Sequence, residues 1–162
     1  QKAVIKNVFP MIVFLLHLKF NFFWSFHFPT MELHIKVVEA ADVPKMDTAG
    51  KSDPFVQLSL STTSQKWKTK SKNNTSTPVW NEQFTLPITT KLDDILTVEL
   101  YDKDDVSKSD IISKVVIQVN KIPQGKVNDS WYTMHPEKGV KTGGKLRLVV
   151  HLTKPGAEPF KA

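Results

Sequence analysis

Two short stretches of this chain concentrate carboxylates beyond what folding requires. The first reads Met46-Asp47-Thr48-Ala49-Gly50-Lys51-Ser52-Asp53-Pro54, and the second runs from Tyr101 through Asp102, Asp104 and Asp105 to Asp110. Gathered at one place, Asp47, Asp53, Asp102, Asp104 and Asp110 supply five carboxylates. Oxygen-only donors suit a hard cation, and roughly six to eight of them suit calcium. Two carboxylates about 4 Å apart repel by roughly 4 kcal/mol at an effective dielectric of about 20, so convergence calls for a cation. No histidine stands nearby in sequence, which argues against zinc or copper. An EF-hand register fails: a loop starting at Asp102 puts Ser107 where its glycine belongs and Ser113 where its bidentate glutamate belongs. Acid content alone leaves solvated turns as the alternative, since Ser52-Asp53-Pro54 is also a good turn starter.

A second pattern is cationic. Lys66, Lys68, Lys70 and Lys72 fall on every second residue, which on a strand puts all four on one face. Such a ridge attracts phosphate, each lysine near an anionic surface contributing about 1 kcal/mol. An ordinary solvated strand face is the competing reading. The acidic loops also carry Lys45, Lys51, Lys103 and Lys108, and Met46, Val106 and Ile111 at their tips could touch lipid.

Positioning these loops calls for short strands. Leu33, Ile35 and Val37 alternate with polar neighbours, as do Val56, Leu58 and Leu60 and then Leu96, Val98 and Leu100, while Leu146, Leu148, Val150 and Leu152 share one face of a last strand. With stretches at 66–72, 80–88 (inner face Phe84, Leu86 and Ile88), 111–119 and 131–134, the pattern predicts eight strands separated by Pro, Gly and Asn turns. No segment carries a helical stripe. The expected fold is all-β, an eight-stranded antiparallel β-sandwich with the acidic loops at one edge; a barrel is the alternative.

Composition sets further bounds. The 162 residues suit one domain. There is no cysteine, which excludes disulfides, thiolate metal sites and cysteine nucleophiles. The net charge is +6, but residues 1–30 hold three lysines, no acid and seven of the ten phenylalanines. The remaining 19 basic and 16 acidic residues are too nearly balanced for nucleic-acid binding on bulk charge. Residues 1–30 therefore read as an apolar Phe-rich leader outside the fold: non-native sequence such as translated upstream DNA, a membrane anchor, or a signal peptide. Residues 31–154 read as the domain and 155–162 as a flexible tail.

Taken together, the motifs resemble the C2-domain family of calcium- and phospholipid-binding sandwiches. The resemblance is carried by Met46-Asp47-x-x-Gly50-x-Ser52-Asp53-Pro54-Phe55-Val56, then Lys68-Thr69-Lys70, then Thr77-Pro78-Val79-Trp80-Asn81-Glu82-x-Phe84, then Asp102-x-Asp104 with Asp110. It implies two or three calcium ions held by Asp47, Asp53, Asp102, Asp104 and Asp110 with the main-chain carbonyls of Met46 and Lys103. It also implies a phosphoinositide headgroup at the positions of Lys68 and Lys70. The order of strands is similar to the family's second circular permutant. Ser113, where the family usually has glycine, and Phe55, where it usually has tyrosine, depart from the pattern.

The expected function is calcium-dependent binding to anionic phospholipid such as phosphatidylserine. The partner is then the inner face of a membrane, reached from the cytoplasm when calcium rises, or held there by residues 1–30 if these are native. Lipid contacts are expected from Lys66, Lys68, Lys70, Lys72, Lys45, Lys51, Lys108 and Val106. No catalytic set is apparent: His34, His135 and His151 lie far apart in sequence and read as surface strand residues. A calcium-independent protein-interaction scaffold is one alternative, and the targeting domain of a larger enzyme is another.

Overall fold

The computed structural model describes residues 31–46, 51–88, 93–104 and 109–161, which form an all-β sandwich of two antiparallel sheets. Strands β1 (Met31–Ala41), β4 (Val79–Ile88), β7 (Val127–Thr133) and β9 (Lys145–Thr153) make one sheet in the order β4-β1-β9-β7. Strands β2 (Pro54–Leu60), β3 (Lys66–Lys68), β5 (Ile95–Asp102), β6 (Asp110–Gln118) and β8 (His135–Pro136) make the other, in the order β3-β2-β5-β6-β8. The two-residue β8 is one strand more than the hydrophobic pattern predicts. Among the described residues the helical element is a single turn, Val119–Lys121, and no helix is long and apolar enough to cross a membrane.

The core forms where alternation says it should. Leu33, Ile35 and Val37 of β1, Val56, Leu58 and Leu60 of β2, and Leu96, Val98 and Leu100 of β5 are buried between the sheets. Leu146, Leu148, Val150 and Leu152 of β9 are each fully buried. Burying one such side chain stabilises the fold by about 1.5–3 kcal/mol relative to leaving it in water. Phe84, expected inside with Leu86 and Ile88, is only half-buried.

Strict period two fails at two places that matter for the site. In β1 the register jumps from Val37 to Glu39 on both sides, so Val38 has no ladder partner. This bulge passes the inward role to Ala40 and Val43 and steers the chain into the first acidic loop. The strand expected over 66–72 ends at Lys68. The Thr69 hydroxyl takes the Val56 N–H at 2.9 Å, and the Lys72 N–H donates to the Pro54 carbonyl at 3.0 Å, one residue out of the β3 register.

Pairing then brings four loops to one edge. Pro54, the first residue of β2, lies opposite Asp102, the last of β5, and Asp102 lies opposite Asp110, the first of β6. Lys145, the first residue of β9, lies opposite both Ala41 and Thr133, the last residues of β1 and β7. Main-chain bonds lace the loops together: Val43 N–H to Ser76 at 3.1 Å, Thr75 N–H to Ser52 at 3.0 Å, and Glu137 N–H to Ile112 at 3.0 Å.

Beyond β9 the chain folds back on the outer face of its sheet. The Gly156 N–H donates to Glu32 Oε2 at 3.3 Å and the Phe160 N–H donates to His151 Nδ1 at 3.1 Å. The Phe160 ring meets His34 edge-on at 6.3 Å between centroids. His34 and His151, read from sequence as surface residues, are accordingly buried, 3% and 2% exposed, and they are cross-strand partners. The hydroxyls of Thr85 and Thr153 bond the two His34 ring nitrogens at 3.0 and 3.2 Å, so the neutral ring is satisfied in either tautomer.

Candidate calcium and phospholipid site

The first acidic loop is closed by its own serine. Ser52, buried to 1% exposure, donates its hydroxyl to the Pro44 carbonyl at 3.0 Å and accepts the Met46 N–H at 3.2 Å. This brings Met46 back beside the start of β2. The next residue, Asp53, is fixed at three atoms. Its N–H donates to Asp102 Oδ1 at 2.6 Å, its carbonyl accepts the Lys103 N–H at 3.1 Å, and its Oδ1 accepts the Asn74 N–H at 2.7 Å. Asn74 sits at φ +48°, a conformation Asn tolerates better than most residues, and its side-chain oxygen takes the Lys51 N–H at 2.7 Å.

The two acidic loops therefore meet through Asp53 and Asp102. Asp102 is 2% exposed, Asp104 is half-buried and Asp110 is exposed directly across the ladder from Asp102. Asp47, Val106 and Lys108 lie outside the described residues. Among the described residues no three acidic or histidine side chains converge closely enough to hold a metal by themselves. The side chains that the two acidic loops bring to this corner, those of Asp53, Asp102, Asp104 and Asp110, carry oxygen atoms alone as potential donors. That chemistry fits a hard cation and no soft one.

The lysine ridge survives in part. Lys66, Lys68 and Lys70 are exposed, with Trp67 and Thr69 turned inward between them. Lys72 is half-buried and out of register, so it does not extend the row. Lys68 Nζ lies 5.5 Å from the centre of the Phe55 ring, and Phe55 stacks on Tyr101 at 5.1 Å and 8° between planes. The missing phenol at position 55 is thus accompanied by one at Tyr101. That phenol donates to Glu99 Oε2 at 3.2 Å and is pushed above its ordinary pKa, first by burial and then by the Glu99 charge. Glu99 shares a row across the sheet with Lys68, Gln57 and Lys114, and so tempers the positive face.

Four features of the site escaped the sequence reading. Asn74, Glu99, the pairing of Ser113 with the glycine loop, and the loop at 137–144 itself were visible only as turn residues or alternating polar positions. Ser113, the departure from the family's glycine, is fully buried and donates its hydroxyl to the Gly143 carbonyl at 2.7 Å. Met46 and Ile111, expected at the loop tips, are half-buried and line an open cavity of about 480 Å³ at the loop edge together with Tyr101, Asp110, Glu137 and Val140.

Comparison with known proteins accords with this geometry. The C2 domain profile matches residues 31–134. The chain is 36% identical over 106 residues to cytosolic phospholipase A2 delta of Mus musculus, covering 65% of this chain and 13% of that protein. It is 39% identical over 116 residues to synaptotagmin-1 of Aplysia californica, covering 70% of this chain and 27% of that protein. It thus spans less than a third of either relative. The solved pair of C2 domains of extended synaptotagmin 2 with calcium bound superposes with a TM-score of 0.66 at 26% identity, covering 76% of this chain and 46% of that one. Matched along most of its length and folded as a two-sheet sandwich with acidic loops at one edge, the chain belongs to the C2 domain family, whose members are generally phospholipid-binding modules.

Proposed function

We propose that this domain binds anionic phospholipid membranes in response to calcium and carries no catalytic activity of its own. The observation that carries the reading is the bond from Asp53 to Asp102. It ties two acidic loops, distant in sequence, into one all-oxygen corner. Asp47, Asp53, Asp102, Asp104 and Asp110, with the carbonyls of Met46 and Lys103, would hold two or three ions. Bound there, calcium supplies the positive charge that converts an anion-repelling rim into an anion-binding one. The chain's own part is to keep the carboxylates in place beforehand, through Ser52, Asn74 and the Asp53 backbone, so that little ordering is left for the binding step. Lys66, Lys68 and Lys70 add a calcium-independent attraction for phosphatidylserine or a phosphoinositide. Such a module would work from the cytoplasm as a peripheral membrane element of signalling or trafficking. The bound form of extended synaptotagmin 2 supports the choice of calcium.

The test is sedimentation of the full chain with phosphatidylserine vesicles in calcium and in chelator. Pelleting only in calcium, lost in Asp102→Asn with Asp104→Asn, is the expected result. Pelleting that ignores both calcium and the double substitution would overturn the calcium reading. Absence of pelleting in either condition would point to a protein partner.

A second reading concerns context. The chain covers 13% of the phospholipase relative, which favours a role as the targeting domain of a longer protein, an enzyme included. Full-length transcript sequence decides this.

A further inference from the structure

A fourth loop reaches the same edge as the acidic loops. Residues 137–144 join β8 to β9 and are seated by two glycines that admit no side chain. A Cβ at Gly143 would lie 1.9 Å from the Met134 carbonyl oxygen, and one at Gly144, where φ is +72°, would lie 2.9 Å from the Ala41 carbonyl oxygen. The Ser113 hydroxyl and the Gly144 carbonyl, which accepts the Met134 N–H at 3.1 Å, complete the seat. The loop is pressed against the point where β1 runs into the first acidic loop, and its position does not depend on its own exposed side chains.

Between this loop and residues 44–46 lies an open cavity of about 600 Å³. Lys45, Lys138 and Lys141 line it, with Met46, Val140 and Thr142 between them, and no carboxylate is among its described lining residues. Lysines from two segments of the chain thus line one hollow, and an anion entering it meets positive charge from the 138–142 loop as well as from residue 45. The hollow adjoins the cavity that holds Asp110 and Glu137, and the two share Met46, Lys138 and Val140 as a common wall. A hollow lined by lysines and one that holds Asp110 and Glu137 thus sit side by side at the loop edge, with the partly buried Met46 and Val140 between them.

We infer that the hollow between residues 44–46 and 138–142 is a phosphate-binding site, with Lys138 and Lys141 as its principal donors and Lys45 as the third. Its ligand is a phosphate mono- or diester, either a phospholipid headgroup or a soluble phosphate. The lipid form of this inference rests on the membrane reading above; phosphate recognition by the lysines does not require calcium.

The full chain and its Lys138→Gln, Lys141→Gln double variant separate the cases. Both lysines are exposed and the loop is held by Gly143, Gly144 and Ser113, so the variant keeps the fold. In chelator, titration with inorganic phosphate should shift the amide resonances of Lys138–Thr142 in the parent and not in the variant. With calcium, vesicles of phosphatidylcholine and phosphatidylserine should bind the variant roughly thirtyfold more weakly, in line with about 1 kcal/mol for each of the two lysines. Lys138→Arg with Lys141→Arg should restore binding. Shifts with inorganic phosphate and unchanged vesicle binding would identify a soluble phosphate as the ligand. The same shifts in a parent chain that never pellets would sink the membrane reading and leave this site standing. No shift on the loop and equal vesicle binding by parent and variant would overturn the inference.

Discussion

The Asp53 N–H donates to Asp102 Oδ1 at 2.6 Å, joining the residue that leads into β2 to the residue that ends β5. The bond holds a buried carboxylate in place before any cation arrives. Asp102→Ala removes the acceptor and leaves a partly buried N–H unpaired, a loss of about 1–3 kcal/mol. Asp102→Asn retains a side-chain oxygen and should lose less. The two variants should therefore differ in urea midpoint in chelator, and both should lose the rise in midpoint that calcium gives the parent. A calcium-induced rise that persists in Asp102→Asn would remove Asp102 from the cation site.

The glycine seat offers a contrast in cost. At Gly143 an added methyl meets the Met134 backbone, which cannot swing aside like a side chain, so Gly143→Ala should destabilise by about 3 kcal/mol. At Gly125 nothing lies within 4 Å and the cost is only that of φ +68°, about 1–2 kcal/mol. Thermal unfolding of the two variants gives the comparison. Equal effects would mean that the 137–144 loop shifts freely, and would weaken its role in forming a fixed hollow.

Much of the sandwich was legible because burial on one side of a strand imposes period two. The inward sets of β2, β5 and β9 are those the alternation marks. Legibility ended where a single residue changes register. Val38 in β1 has no ladder partner, and the slip between Thr69 and Lys72 removes the last lysine from its row; neither residue type announces this. It ended again where distant segments meet. His34 and His151 alternate like surface residues, and only the β1–β9 pairing and the returning chain at Phe160 bury them together. The acidic corner was legible in residue type, while the bonds that assemble it, from Asn74 and Ser52, looked like ordinary turn chemistry.

The truncated lysine row makes a graded prediction. Lys68 and Lys70 stand exposed, Lys68 over the ring of the Phe55–Tyr101 stack, whereas Lys72 is half-buried. In chelator, Lys68→Gln and Lys70→Gln should each weaken binding to phosphoinositide-containing vesicles about fivefold, from about 1 kcal/mol per lysine. Lys72→Gln should change it little. A Lys72→Gln effect as large as the other two, read by vesicle sedimentation, would restore the four-lysine ridge and contradict the register described for this segment.

The buried histidine pair ties stability to pH. His151 is pushed below the ordinary imidazole pKa, first by desolvation and then by the facing His34. Its Nδ1 accepts the Phe160 N–H, so a proton on that nitrogen removes the acceptor. The charged and titratable neighbours are Glu32 on the same strand as His34, with Lys154 and Lys161 on the returning chain. A depressed folded-state pKa means that the unfolded chain binds the proton more readily. Stability from this group is then complete above the unfolded value of about 6.5 and declines as pH falls below it. Urea midpoints of the parent should fall between about pH 7 and pH 5 more steeply than those of His151→Gln, which keeps a side-chain acceptor but does not titrate. The amide of Phe160 should lose exchange protection over the same interval in the parent. Parallel pH profiles for the two proteins would show that His151 stays neutral throughout and that the returning segment is held by other contacts.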